Sequence, residues 1–76
     1  MKNIEVLRLA VEVMKAHNDT CGWKTFKDIK LNEDSENITF VMDFQFMQDV
    51  IHITSLFNLT FHVRPPYGLN RKFRIT

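Results

Sequence analysis

The sequence predicts a two-layer α+β domain in the order α-β-β-α-β-β, with two helices packed on one face of an antiparallel sheet. Three stretches carry the prediction. Residues 3–17 repeat apolar side chains at the helical period, residues 38–44 alternate at the strand period, and residues 45–57 return to the helical period. A chain of 76 residues is expected to form one domain, 1–76. A domain this short buries only about 60% of its unfolded surface. Here the core is supplied by bulk: 45% of residues are hydrophobic, including seven Phe and four Met. With only two Gly and two Pro, disorder and low complexity are not expected.

The first helix is NIEVLRLAVEVMKAH, residues 3–17. Its apolar residues, from Ile4 through Leu9 to Met14, cover an arc about twice the roughly 100° of an ordinary surface helix. Glu5, Arg8, Glu12 and Lys15 share the narrow remainder, with opposite signs three or four apart. So wide an apolar surface is expected to be covered on two sides: by the sheet, and by the second helix or another copy of the chain. Asn18 is the expected left-handed cap, with Gly22 turning the chain soon after.

WKTFKDIKL (23–31) reads as a strand from its β-branched and aromatic content, bulged near Lys27. Trp23, Ile29 and Leu31 fall on one strand face and Phe26 on the other. NEDSEN (32–37) is a polar turn. ITFVMDF (38–44) is a strand with Ile38, Phe40, Met42 and Phe44 on one side. In QFMQDVIHITSLF (45–57), Phe46, Val50, Ile53 and Phe57 follow i, i+4, i+7, i+11, while Gln45, Gln48, Asp49, His52 and Ser55 lie opposite. A strand reading competes there, because Ile51 and Ile53 alternate with polar neighbours; the helix is preferred. LTFHV (59–63) points Leu59, Phe61 and Val63 inward, residues 65–70 turn, and a last strand to Thr76 points Phe73 and Ile75 inward. Pairing Phe61 with Ile75 and Val63 with Phe73 keeps apolar residues together. That register sets His62 opposite Arg74 and Arg64 opposite Lys72; a register two residues away sets Arg64 against Asn70.

Charge is unevenly spread. The formal net charge is +1, yet residues 61–76 carry Arg64, Arg71, Lys72 and Arg74 without an acid. Residues 19–60 set Lys24, Lys27 and Lys30 against a larger number of acids, clustered in part at Glu33, Asp34 and Glu36. The candidate binding surface is therefore the basic hairpin face: Arg64, Lys72, Arg74 and His62, with Tyr67 free to stack at the turn. Its competing reading is a solvated edge strand whose cations block edge-to-edge pairing.

Other constellations are weak. His17, His52, His62 and Cys21 lack the paired spacing of a metal site, and no metal or cofactor is expected. Asp49, His52 and Ser55 are spaced as neighbours on a helix, but no Gly turn offers oxyanion donors, so no catalytic residue is assigned. A lone cysteine excludes an internal disulfide. The N-terminus lacks a signal-peptide core, and the uncharged run 50–63 is shorter than the roughly 20 apolar residues of a membrane span. A cytoplasmic chain without membrane contact is expected. The leading expectation is a non-enzymatic interaction protein that regulates a larger protein partner, of the size that phages and mobile elements direct at host machinery. The alternative is a nucleic-acid-binding module, winged-helix-like or a β-ribbon. Homodimerisation through helix 3–17 is compatible with either. The two readings separate on one point. A helix at 45–57 with the strip Arg64/Lys72/Arg74 continuing onto Lys24, Lys27 or Lys30 favours nucleic acid, and a strip standing alone beside an apolar patch favours a protein.

Overall fold

The computed structural model describes residues 3–63 and 71–76. Helix α1 (Asn3–Cys21) is followed by strands β1 (Lys27–Asn32) and β2 (Asn37–Met42). A 3-10 turn (Phe44–Phe46) leads into helix α2 (Met47–Leu56), and strands β3 (Phe61–His62) and β4 (Arg71–Ile75) complete the chain. The antiparallel sheet has four strands in the order β1-β2-β4-β3. Because β4 is antiparallel to both β2 and β3, β2 and β3 run parallel, joined through α2, with β4 filling the gap between them.

The helices cover one face. Strand parity sends Ile38, Phe40, Met42, Phe73 and Ile75 into the core, where they meet Leu7, Ala10 and Met14 of α1 and Val50 and Ile53 of α2. Rings run through the centre of this core. Phe26 meets Phe40 edge-on at 5.6 Å, and Phe40 lies 6.1 Å from Phe73 and 6.3 Å from Phe61. This confirms the expected α+β architecture and places both helices where the periodicities put them.

Local details depart from expectation for identifiable reasons. Helix α1 runs one turn beyond residue 17. Gly22, at φ +78°, takes the left-handed position that Asn18 was expected to fill. Asn18 stays helical and does different work: its Oδ1 accepts the Phe26 N–H at 2.9 Å and its Nδ2 donates to the Phe26 carbonyl at 2.8 Å. One side-chain amide thus satisfies both the N–H and the C=O of Phe26 at the entry to β1. The strand begins only at Lys27, and Trp23 does not join the inner face; it is 60% exposed, while Phe26 is buried. The expected bulge is present. Lys27 pairs with Val41 and Lys30 with Thr39, so β1 carries one more residue than β2 between the same rungs, and Asp28 sits at φ 50°. That extra residue lets both Phe26 and Ile29 face the core.

The turn is tighter than 32–37, since Asn32 and Asn37 form the last rung and Asn32 Nδ2 donates to Asn37 Oδ1 at 2.7 Å. Strand β2 ends at Met42, and Phe44 packs against the core from the 3-10 turn rather than from the strand. Helix α2 closes with a Schellman arrangement unannounced in the sequence reading. Asn58 takes φ 56°, Leu59 N–H donates to the Thr54 carbonyl at 2.9 Å, and Asn58 N–H donates to the Ser55 carbonyl at 3.3 Å. Strand β3 is shorter than 59–63, although Thr60 and Thr76 extend the pairing with reciprocal backbone bonds of 2.8 and 3.0 Å. Finally, α1 is not fully covered. Leu9 is 49% exposed, and Val6 and Val13 are half-buried.

Candidate binding face

The face of the sheet away from the helices is built by the residues between the core positions. Phe61 pairs with Ile75 and His62 with Arg74, the first of the two registers considered for the terminal strands. The strand order then adds what the hairpin alone lacks. Arg74 also pairs with Thr39, and Thr39 pairs with Lys30, so one continuous cross-strand row reads His62, Arg74, Thr39, Lys30. The next row reads Lys72, Val41, Lys27. Lysine and arginine of β4 and lysines of β1 thus flank β2 on a single face. Strand spacing puts the flanking positions roughly 10 Å apart across β2, and the i, i+2 pair Lys72 and Arg74 about 7 Å apart along β4.

All of these cations are exposed. No carboxylate among the described residues pairs with Lys30, Lys72 or Arg74. Of the described acids, Glu5, Glu12, Asp19 and Asp49 lie on the helices and Glu33, Asp34 and Glu36 on the β1–β2 turn, where Glu33 pairs with Arg8, while Asp28 lies within β1 and Asp43 directly follows β2. The helix pairs Glu5/Arg8 and Arg8/Glu12 therefore give way to a contact between α1 and that turn. His62 is held by the sheet, its Nε2 hydrogen-bonded to Thr76 Oγ1 at 2.7 Å. Arg64 and Tyr67, assigned to the same surface from the sequence, lie outside the described residues.

The edge-strand reading of the terminal cations does not survive the strand order. β4 lies between β2 and β3, so Lys72 and Arg74 are on an interior strand and guard no edge. The edges are β1 and the short β3.

A second feature adjoins this face. A cleft of about 640 Å³ opens between the last turns of α1 and the start of β1. Lys15, Asn18, Trp23, Lys24, Phe26 and Lys27 are among the residues that line it. Lys27 borders both the cleft and the outer face.

Asp49, His52 and Ser55, spaced as neighbours on α2, form no chain of hydrogen bonds among the described residues. Ser55 Oγ donates to the His52 carbonyl at 2.8 Å, and Asp49 turns to α1, where its Oδ2 lies 3.7 Å from His17 Nε2. The extension of α1 to Cys21 makes His17 and Cys21 neighbours one turn apart, with Sγ 3.4 Å from His17 Nε2. This meeting of Cys21, His17 and Asp49 was hidden because the helix was expected to end before the cysteine. It is not a relay. Thiol and carboxylate both approach the same ring nitrogen, whereas a nucleophile–base–acid chain engages the two nitrogens separately. No group of three metal-ligating side chains occurs among the described residues, and no helix among them is long and apolar enough to cross a membrane.

Comparisons with protein-family models, curated proteins and solved structures return no match for this chain.

Proposed function

We propose that the chain is a non-enzymatic binding protein whose open sheet face holds nucleic acid through its phosphates. One observation carries the reading: insertion of β4 beside β2 gathers Lys27, Lys30, Lys72 and Arg74 on one face. Like charges at such spacing repel by about 0.5 kcal/mol per neighbouring pair even in water. A polyanion laid across the face converts that repulsion into attraction and releases its own counterions. The helix layer is a poor alternative reader, because the outward side of α2 presents Gln48, His52 and Ser55 with no Lys or Arg. The winged-helix arrangement, which would put that helix in a major groove, is therefore not the mode proposed.

The test is fluorescence anisotropy with a labelled oligonucleotide at 50 and 200 mM salt. About four phosphate contacts to a single strand give a log–log salt slope near −3, which is roughly a 50-fold loss over this range. Binding that is absent at low salt, or insensitive to salt, rejects the proposal.

A different observation favours a second reading, a protein partner. Leu9 and Leu56 are 49% and 62% exposed on the helix layer. An apolar surface there suits a stoichiometric partner or a second copy of the chain meeting through α1. Sedimentation of Leu9→Lys beside the parent separates these. If the parent dimerises, the substitution yields monomers; if the parent is already monomeric at micromolar concentration, self-association is dismissed. A cytoplasmic regulatory role accords with either reading.

A further inference from the structure

We infer that the cleft beside β1 receives an unpaired nucleobase stacked on Trp23, so that the nucleic acid held on the sheet face is single-stranded. The inference rests on the phosphate-binding reading of that face and adds the form of the ligand.

Trp23 is the chain's single tryptophan, and it is 60% exposed. An indole left largely in water within a chain so rich in buried Phe calls for a reason. Its position is set from both sides. Gly22 at φ +78° reverses the chain at the end of α1, and the following Thr25 and Phe26 are each 1% exposed and anchor the segment. The indole is therefore carried on a braced turn, which suits a stacking platform.

The cleft's chemistry divides the ligand. Its apolar wall is Phe26 and Ile29, and its volume of about 640 Å³ lies within the range of small-molecule sites. Asp19 and Asp28 also line it, which makes it a poor seat for a phosphate but offers acceptors to the ring or exocyclic N–H groups of a base. The cations stand at the margin: Lys24 beside the indole, and Lys27 on the rung it shares with Val41, beyond which lies Lys72. A strand whose phosphates follow the sheet cations can turn a base off Lys27 into the cleft. A duplex cannot, because its bases are already stacked and paired.

The experiment uses the full chain and three probes of matched length: oligothymidylate, the same backbone with abasic sites, and a GC-rich duplex. Binding is read by anisotropy of labelled probes, and by emission of Trp23 with unlabelled ones. Oligothymidylate is expected to quench Trp23 with the midpoint seen by anisotropy. The abasic strand and the duplex should leave the emission unchanged, and the abasic strand should bind at least about fivefold more weakly. Trp23→Ala should erase the preference for bases and Trp23→Phe should keep most of it, with melting curves showing both variants folded. Equal binding of all three probes, or unchanged oligothymidylate binding by folded Trp23→Ala, overturns the inference while leaving the phosphate-binding face intact. No binding by any probe overturns both. Oligouridylate in parallel reports whether RNA is preferred to DNA.

Discussion

The two faces of the sheet are made from the same strands by alternate residues, and they differ in almost everything else. On the inner face, Phe40 packs among Phe26, Phe61 and Phe73 and is fully buried. One residue away on the outer face, Thr39 and Val41 are half-exposed between cations. Stability therefore resides in one face and charge in the other. Lys72 and Arg74 can stand so close because β4, an interior strand clamped on both sides, holds them in place.

The comparison is broken most severely from the inside. Phe40→Ala should cost about 3–5 kcal/mol, a large part of the stability of a domain this size, and a urea melt should show it largely unfolded. The neighbouring Thr39→Ala should move the same melt by only about 1 kcal/mol, the difference in strand preference. Comparable losses at the two positions would refute the division of labour. From the outside, the pair Lys72→Glu and Arg74→Glu should abolish oligonucleotide binding while the thermal midpoint stays nearly constant. The milder double alanine variant should lower the salt slope by about 1.4 to 1.8, two phosphate contacts' worth.

Smaller effects sharpen the boundary between helix layer and sheet. Asn18→Ala removes both hydrogen bonds to the Phe26 peptide and should cost about 2 kcal/mol by chemical denaturation. Asn18→Asp keeps the acceptor but turns an oxygen toward the Phe26 carbonyl, so it should not recover the loss. The smallest effect is a gain. Thr25 Oγ1 is buried without a hydrogen-bond partner among the described residues, and Thr25→Val should stabilise by about 1 kcal/mol. Destabilisation instead would mean that this hydroxyl has a use.

Much of the fold was legible because its signals are local. Alternation identified β2 from Ile38, Phe40 and Met42, and the i, i+4, i+7 spacing of Phe46, Val50 and Ile53 identified α2 against a competing strand reading. The segment between α1 and β1 was misread because the turn at Gly22 breaks its periodicity and delays the strand to Lys27. Trp23 and Phe26 consequently exchanged roles, and the indole in the cleft went unnoticed as a candidate contact. The basic hairpin was legible as charge, but its setting was not.

Sequence alone determined which residues of β2, α2 and β4 turn inward, because parity and helical period follow from backbone geometry. Parity also limited the terminal strands to registers an even number of residues apart, because any odd shift would send Phe73 and Ile75 into water; the structure chose Phe61 with Ile75. Only the tertiary structure decided strand order. Connection through α2 returns the chain parallel to β2 and leaves a gap one strand wide, and the last strand fills it. That placement depends on how the helices cover the sheet, a contact between residues far apart in the chain. It moves Lys72 and Arg74 from a supposed edge to the middle of the sheet and sets them across β2 from Lys27 and Lys30.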